Sequence, residues 1–290
     1  MITCNLMGGL GNQIFQIFAT LSYAIKCGQI YNFSNVKTLG GGSTTTRHTY
    51  WETFFKELKP FTIEYFYGLD IIREKQFTYD NELHNEIKNT PNIMLYGYFQ
   101  SYKYFINEFN TICKLINLKA LIFDTLQKSE YRVDVLKNSV SMHFRIGDYK
   151  NIQQCHPLME INYYDDALHF ILSKKTNICN VLYFCEDCDI ADVLDMITIL
   201  KNKHPRVSFE RCLPELDDWE QMLIMSLCGD NIIANSSFSW WGAFFNENTN
   251  KMVCYPSKWF GSSINHDTSD LFPPEWTKID CSSPNLHSHS

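Results

Sequence analysis

The sequence predicts an α/β protein made of two halves. Three observations lead there. From residue 136 onward, short apolar strands alternate with helical segments, the pattern of a parallel sheet with crossover helices. The chain opens with a strand, a glycine-rich turn and a helix. Its 290 residues fit two domains at roughly 150 residues each. The division is placed at 135/136, giving domains 1–135 and 136–290. A ligand is expected in the cleft between them, at the carboxyl ends of the strands.

Each element has a reason. Ile2 to Leu6 is a short apolar strand, and Met7-Gly8-Gly9-Leu10-Gly11-Asn12 is a turn. From Gln13 to Cys27 the apolar residues Ile14, Ile17, Phe18, Leu21 and Ile25 recur at helical spacing, and Gly28 stops the helix. Residues 40–49 are a low-complexity loop, serving either as a substrate loop or as plain surface. Tyr96 to Gln100 is a compact turn between a strand and a helix. In the second half, strands are expected at 140–145, 180–184, 207–209, 231–234 and 252–255. Helices are expected at 163–172, 190–200, 218–228 and 237–246. The segment after Asp280 is polar and frayed.

The net charge of −7, from 25 Lys and Arg against 32 Asp and Glu, argues against a general nucleic-acid binder. It leaves room for a local basic site. No apolar run reaches the ~18 residues of a membrane helix, and the first residues do not read as a signal peptide. The expectation is therefore a cytoplasmic protein without a membrane span. Its 11 cysteines are scattered and read as reduced thiols. The sequons at Asn32 and Asn235 read as accidental. Cys185-Glu186-Asp187-Cys188 is a lone CxxC and weak support for a metal.

Four constellations carry chemistry. In Gly8-Gly9-Leu10-Gly11-Asn12-Gln13 the glycines let backbone approach a ligand, and the following helix offers unpaired N–H groups to an anion. The same residues also suit a tight turn with no ligand. The G-x-G-x-x-G fingerprint of dinucleotide enzymes fails, because Ile14 stands where the third glycine belongs. His143-Phe144-Arg145-Ile146-Gly147-Asp148-Tyr149 ends a strand, with His143 and Arg145 on one face. An arginine fork suits a diphosphate, and an Arg–Asp pair tying the turn is the plainer alternative. Asn235-Ser236-Ser237-Phe238-Ser239-Trp240-Trp241-Gly242-Ala243 starts a helix after a buried strand, either as an anion cradle or as an ordinary cap over core tryptophans. Glu186 and Asp187, directly after a strand, could hold a base edge or ribose. Asp187 and Asp189 also form a D-x-D, which could hold a divalent ion, or could simply favour a helix start.

Together these segments resemble the α-1,2-fucosyltransferase family. Its opening G-G-L-G-N-Q-hydrophobic-F-Q run is matched by Gly8 to Gln16. Its H-x-R-R-G-D-Y strand end is matched by His143 to Tyr149 with one exception, and its N-S-S-F-S-W-W-G-A run by Asn235 to Ala243. Gly97-Tyr98-Phe99-Gln100-Ser101 and Pro274-Glu275-Trp276 are similar too. The resemblance runs from residue 2 to about 280.

It implies a GT-B-like fold of two facing Rossmann-like domains. The first would be the acceptor side and the second the GDP-sugar domain. It also implies GDP-fucose as donor, inversion at the anomeric carbon, no cofactor and no required metal. The implied partners are the nucleotide sugar and a galactose-containing glycan attacked through its 2-hydroxyl. Arg145 would neutralise the leaving β-phosphate and His143 would contact the nucleotide. Ser236, Ser237 and Phe238 would receive the diphosphate, Asn235 would also bind the donor, and Glu186 and Asp187 would hold guanine or ribose. Gly9, Gly11, Asn12 and Gln13 would face donor sugar and acceptor, with Asn12 counted among the catalytic groups. Asp148 is the nearest candidate base, with Glu160 a second, although Asp148 could simply orient Arg145. The acceptor side would include residues 40–55, with His48 and Trp51.

The exception is Ile146, which stands in place of the second arginine. Strand alternation points it away from His143 and Arg145, and one positive charge is lost, which implies weaker donor binding. Two other readings stay open. One is a metal-dependent glycosyltransferase using Asp187 and Asp189 with another nucleotide sugar, separable by EDTA. The other is a GDP- or glycan-binding module without turnover.

Overall fold

The computed structural model describes residues 1–40, 46–176 and 178–281. The centre of the 40–49 loop and the polar tail lie outside them. The chain forms two compact units. The first comprises Met1–Leu121 with His266–Pro273, and the second Ile122–Asn265 with the segment from Pro274 onward. The expected division at 135/136 falls inside the second unit.

In the first unit, β1 (Ile2–Cys4) is followed by α1 (Leu10–Cys27). This helix is buried on nearly all sides by Ile14, Phe15, Ile17, Phe18 and Leu21. It ends as expected at Gly28, whose φ of 60° lets its N–H reach Ala24 and Ile25 carbonyls. The strands β2 (Asp70–Arg73) and β3 (Ile93–Tyr96) complete a parallel sheet of order β1-β3-β2. β3 is the strand expected before the turn at Tyr96, whereas β2 escaped the sequence reading, because no flanking helical period marks it.

In the second unit, β4 (Ser139–His143), β5 (Asn180–Phe184), β6 (Ser208–Arg211), β7 (Asp230–Ile232), β8 (Val253–Pro256) and β9 (Thr277–Ile279) form one sheet. Every pairing is parallel, in the order β6-β5-β4-β7-β8-β9. The helices α2 (Ile161–Lys174), α3 (Ile190–Lys203), α4 (Asp218–Leu227) and α5 (Ser237–Phe244) connect them. The chain winds one way from β4 to β6 and the other way from β7 to β9. The order therefore reverses between β4 and β7, which makes their carboxyl ends a topological switch point.

Both central strands are buried at every position, as expected of a sheet covered on two faces, although each also carries polar residues. Val140, Met142, Val181 and Ile232 are at or near zero exposure. Two expectations change. The strand expected at 140–145 stops at His143, although the Phe144 N–H still reaches the Phe184 carbonyl at 2.8 Å. β9 was not foreseen, since three residues carrying Lys278 show no apolar run. Trp240 and Trp241 are fully buried core residues. Among the described residues, no helix is long and apolar enough to cross a membrane.

Candidate functional site

In the first unit, the turn between β1 and α1 is built by side chains of the helix it precedes. Gly8 sits at φ +76°, and a Cβ there would meet the Asn12 side-chain nitrogen at 2.4 Å. Gly9 is the N-cap of α1, with no acid in the first turn to neutralise the helix end. Gln16 accepts the Met7 N–H at 3.0 Å and donates to the Gly97 carbonyl at 3.0 Å. Gln13 donates to the Gly8 carbonyl at 3.1 Å and to the His48 carbonyl at 2.9 Å. Its Oε1 is buried, with no hydrogen-bond partner among the described residues.

Asn12 accepts from Gln100 Nε2 at 2.8 Å. Gln100 is placed by the turn that precedes it, where Phe99 adopts φ 52°. The backbone N–H groups of Tyr98 and Phe99 donate to Glu74 at 2.7 and 3.0 Å. Burial pushes the Glu74 carboxyl up to about 7 even though those two N–H groups pull it down. Sequence reasoning gave neither Glu74 nor Gln100 a place here, because their contacts join residues 24 to 88 positions apart. Of the expected acceptor-side residues, His48 packs its ring 4.6 Å from that of Tyr50. Trp51 is buried and donates to the Ser34 carbonyl at 3.1 Å.

In the second unit, the residues past β4, β5 and β7 meet at the switch point. His143 is 7% exposed, and its Nδ1 is buried without a partner among the described residues. Burial, and then the nearby Arg145, lower its pKa to about 3, so the imidazole is neutral. Its ring lies 5.4 Å from that of Phe238 at the start of α5. Arg145 forms ion pairs with Glu186 and Asp148 and lies 5.0 Å above the Tyr149 ring. Burial opposes its charge, but Glu186 and Asp148 outweigh burial and hold the guanidinium charged. Tyr149 in turn donates from its hydroxyl to the Asn235 carbonyl at 3.2 Å. Strand end, turn and helix start therefore form one cluster.

Ser236 is the N-cap of α5, and its Oγ accepts the Phe238 N–H at 3.3 Å. Ser237 follows as the first helical residue. Asn235, expected to share the cap, does something else. Its Nδ2 donates to the carbonyls of Pro157 at 2.9 Å and Trp259 at 3.2 Å, bracing two loops. Its Oδ1 is buried without a partner among the described residues. At 2% exposure Asn235 cannot carry a glycan. Behind the helix, Lys251 donates to the Ala243 carbonyl at 3.0 Å and to Asn246, a cation at the negative helix end.

The D-x-D pair does not converge. Asp187 is ion-paired with Arg211, while Asp189 is buried and accepts the Gly147 N–H at 2.7 Å. Gly147 itself sits at φ +28°. Glu186, Cys188 and Asp189 do bring one ligand atom each within 4.8 Å of one another, but Glu186 is already engaged with Arg145. Glu160 is exposed at the N-cap of α2. Ile146 packs into the core among Phe144, Met142 and Met159, as strand alternation implied.

One residue of the cluster was not foreseen. The His156 ring stacks on Tyr149 at 4.8 Å and 20°, with Phe260 5.8 Å away. No sequence pattern marks it, since the loop that carries it has no regular structure.

This arrangement offers an arginine fork, a capped helix N-terminus and orphaned buried polar atoms at a switch point, the parts of an anion site. Residues 59–280 match the family model for Glycosyl transferase family 11. An alpha-1,2-colitosyltransferase of Escherichia coli is 26% identical, over 97% of this chain and 99% of its own length. The O-antigen biosynthesis glycosyltransferase WbnK of Escherichia coli is 24% identical, over 96% and 100%. Among solved structures, the ADP-heptose LPS heptosyltransferase II of E. coli superposes with a TM-score of 0.51 at 9% identity, covering 96% of this chain and 89% of that one. The fold is GT-B-like α/β.

Proposed function

The chain belongs to glycosyl transferase family 11, and on that premise we propose that it transfers fucose from GDP-fucose to the 2-hydroxyl of a terminal β-galactoside, with inversion and without a required metal. The observation that carries this reading is Arg145, held charged at the switch point beside the N-terminus of α5. Breaking a glycosyl–phosphate bond leaves growing negative charge on the diphosphate, and fixed positive groups must meet it. Arg145 takes the β-phosphate, with Asp148 setting the angle of its fork. The helix start at Ser236, Ser237 and Phe238 takes the remaining phosphate oxygens through N–H and hydroxyl donors. His143 and Asn235, each with a buried polar atom that has no hydrogen-bond partner among the described residues, contact the nucleotide. Glu186 and Asp187 contact guanine or ribose. Gly9, Gly11, Asn12 and Gln13 contact donor sugar and acceptor, with Asn12 held by Gln100.

The α-1,2 linkage agrees with the name of the alpha-1,2-colitosyltransferase relative. That name also gives a specific reason to test a second donor sugar, colitose. The metal-dependent reading loses support from the separate engagement of Asp187 and Asp189.

The test is turnover. GDP release from GDP-fucose should rise on adding a terminal β-galactoside and should persist in EDTA, and NMR of the product should show an α-1,2 bond. Turnover with GDP-colitose alone would move the donor. Turnover abolished by EDTA would overturn the metal-free mechanism.

A further inference from the structure

We propose that His156 accepts the proton of the incoming hydroxyl, a role that rests on the transferase reading above. The carboxylates around Arg145 are poorly placed for this work. Asp148 and Glu186 are ion-paired with the guanidinium, and Asp189 is buried on the Gly147 N–H. A carboxylate neutralising an arginine is a weakened base. Removing it would also release the arginine that the leaving group needs.

His156 lacks that conflict. Its imidazole and the Arg145 guanidinium both lie against Tyr149, at 4.8 Å and 5.0 Å from the ring centroid. Neither of its ring nitrogens has a hydrogen-bond partner among the described residues. Its loop is fixed from both sides. The His156 N–H donates to the Ile152 carbonyl at 2.9 Å. The neighbouring Cys155 carbonyl accepts the Gly261 N–H at 2.8 Å, and the Gln154 carbonyl accepts the Ser263 N–H at 2.9 Å. A Cβ at Gly261 would meet the Gln154 carbonyl oxygen at 2.2 Å, so this contact requires glycine. The half-buried imidazole is thus held on a rigid support, as a general base must be.

The charged and titratable groups facing it are Arg145 from the strand end, and Asp148 and Tyr149 from the turn. From the opposite loop it meets Phe260, which carries no charge. Burial lowers the His156 pKa below 6.5, Arg145 adds to that, and Asp148 opposes it. The ring is therefore neutral, and able to accept a proton, at pH 7.

The step balances. The acceptor oxygen bonds to the anomeric carbon, and the bond from that carbon to the phosphate oxygen breaks, its electron pair leaving with GDP. The hydroxyl proton passes to an imidazole nitrogen and then to solvent.

The experiment compares wild type with His156→Gln, His156→Phe and His156→Ala. GDP release with a β-galactoside acceptor is followed from about pH 5 to 9, and GDP binding by calorimetry. The role predicts kcat lowered on the order of 10²–10⁴-fold in all three, with GDP affinity nearly unchanged. It predicts that the acidic limb of the wild-type profile is lost. It also predicts that added imidazole restores part of the rate to His156→Ala. His156→Phe keeps a ring in the stack, so a full rate there would overturn the role. So would an unaltered acidic limb with no rescue. A wild type that releases no GDP from any GDP-sugar overturns the transferase reading and this role with it. An active wild type beside an equally active His156→Gln overturns the role alone.

Discussion

Arg145 and Glu186 form an ion pair that joins the turn after β4 to the loop after β5. Asp148 takes the other side of the same guanidinium. The fork is therefore oriented before any ligand arrives, and orientation paid in folding need not be supplied during reaction.

The first prediction concerns the fork itself. Lysine keeps the charge but not the planar set of donors that engages two partners at once. Arg145→Lys should lose on the order of 10²–10³ in kcat/KM, the usual loss of one preorganised donor. Steady-state kinetics measures it, and a variant at wild-type rate would remove Arg145 from the mechanism.

The second concerns the helix that meets the phosphates. Ser236 caps α5 through its hydroxyl, so Ser236→Ala should cost about 1 kcal/mol of stability and weaken GDP binding as the first turn loosens. Urea unfolding and calorimetry read the two effects. Intact affinity with reduced stability would make the serine a cap and nothing more.

The third concerns Ile146. It is 7% exposed within the apolar core of the second unit. Ile146→Arg, which puts back the arginine of the α-1,2-fucosyltransferase pattern, should destabilise the fold by roughly 3 kcal/mol, because a cation would be buried without a partner. It should not tighten GDP binding. Tighter binding at unchanged stability would show that residue 146 reaches the site.

The fourth concerns pH. The Glu74 carboxyl is pushed from 4.5 to about 7, chiefly by burial. The folded state therefore holds this proton more tightly than the unfolded chain. The stability it contributes is complete below pH 4.5 and is lost as pH rises through 7. Denaturation midpoints of wild type should fall more steeply across that window than those of Glu74→Gln. The variant should be less stable than wild type by about 1–3 kcal/mol at low pH, since an amide cannot accept both the Tyr98 and Phe99 N–H groups, and the gap should narrow as pH rises through 7. Parallel pH profiles would contradict the shifted carboxyl.

Much of this site was legible because its parts are local. Gly28 ends α1, Ser236 caps α5, Ile146 turns inward, and each depends on neighbours a few residues away. The alternation of strands and helices likewise exposes the parallel sheet of the second unit. What stayed hidden depends on distant approach. Gln100 meets Asn12 across 88 positions, and Asn235 braces the Pro157 carbonyl across 78. The apparent D-x-D dissolves because Arg211, on another strand, takes Asp187. His156 joins Arg145 only through the face of Tyr149. Such contacts follow from packing, on which residue spacing along the chain is silent. β2 and β9 were missed for a related reason, since strands of three or four residues gain their stability from the sheet they join.

The most direct test of the central claim is calorimetric binding of GDP and of UDP, each with and without EDTA. It requires no knowledge of the acceptor. An Arg145 fork working with the N-terminus of α5 predicts tight diphosphate binding that EDTA does not change, and Glu186 and Asp187 at the base add a preference for GDP over UDP. A preference for UDP, or GDP binding abolished by EDTA, would contradict it and move the chemistry to a metal held by the acids after β5.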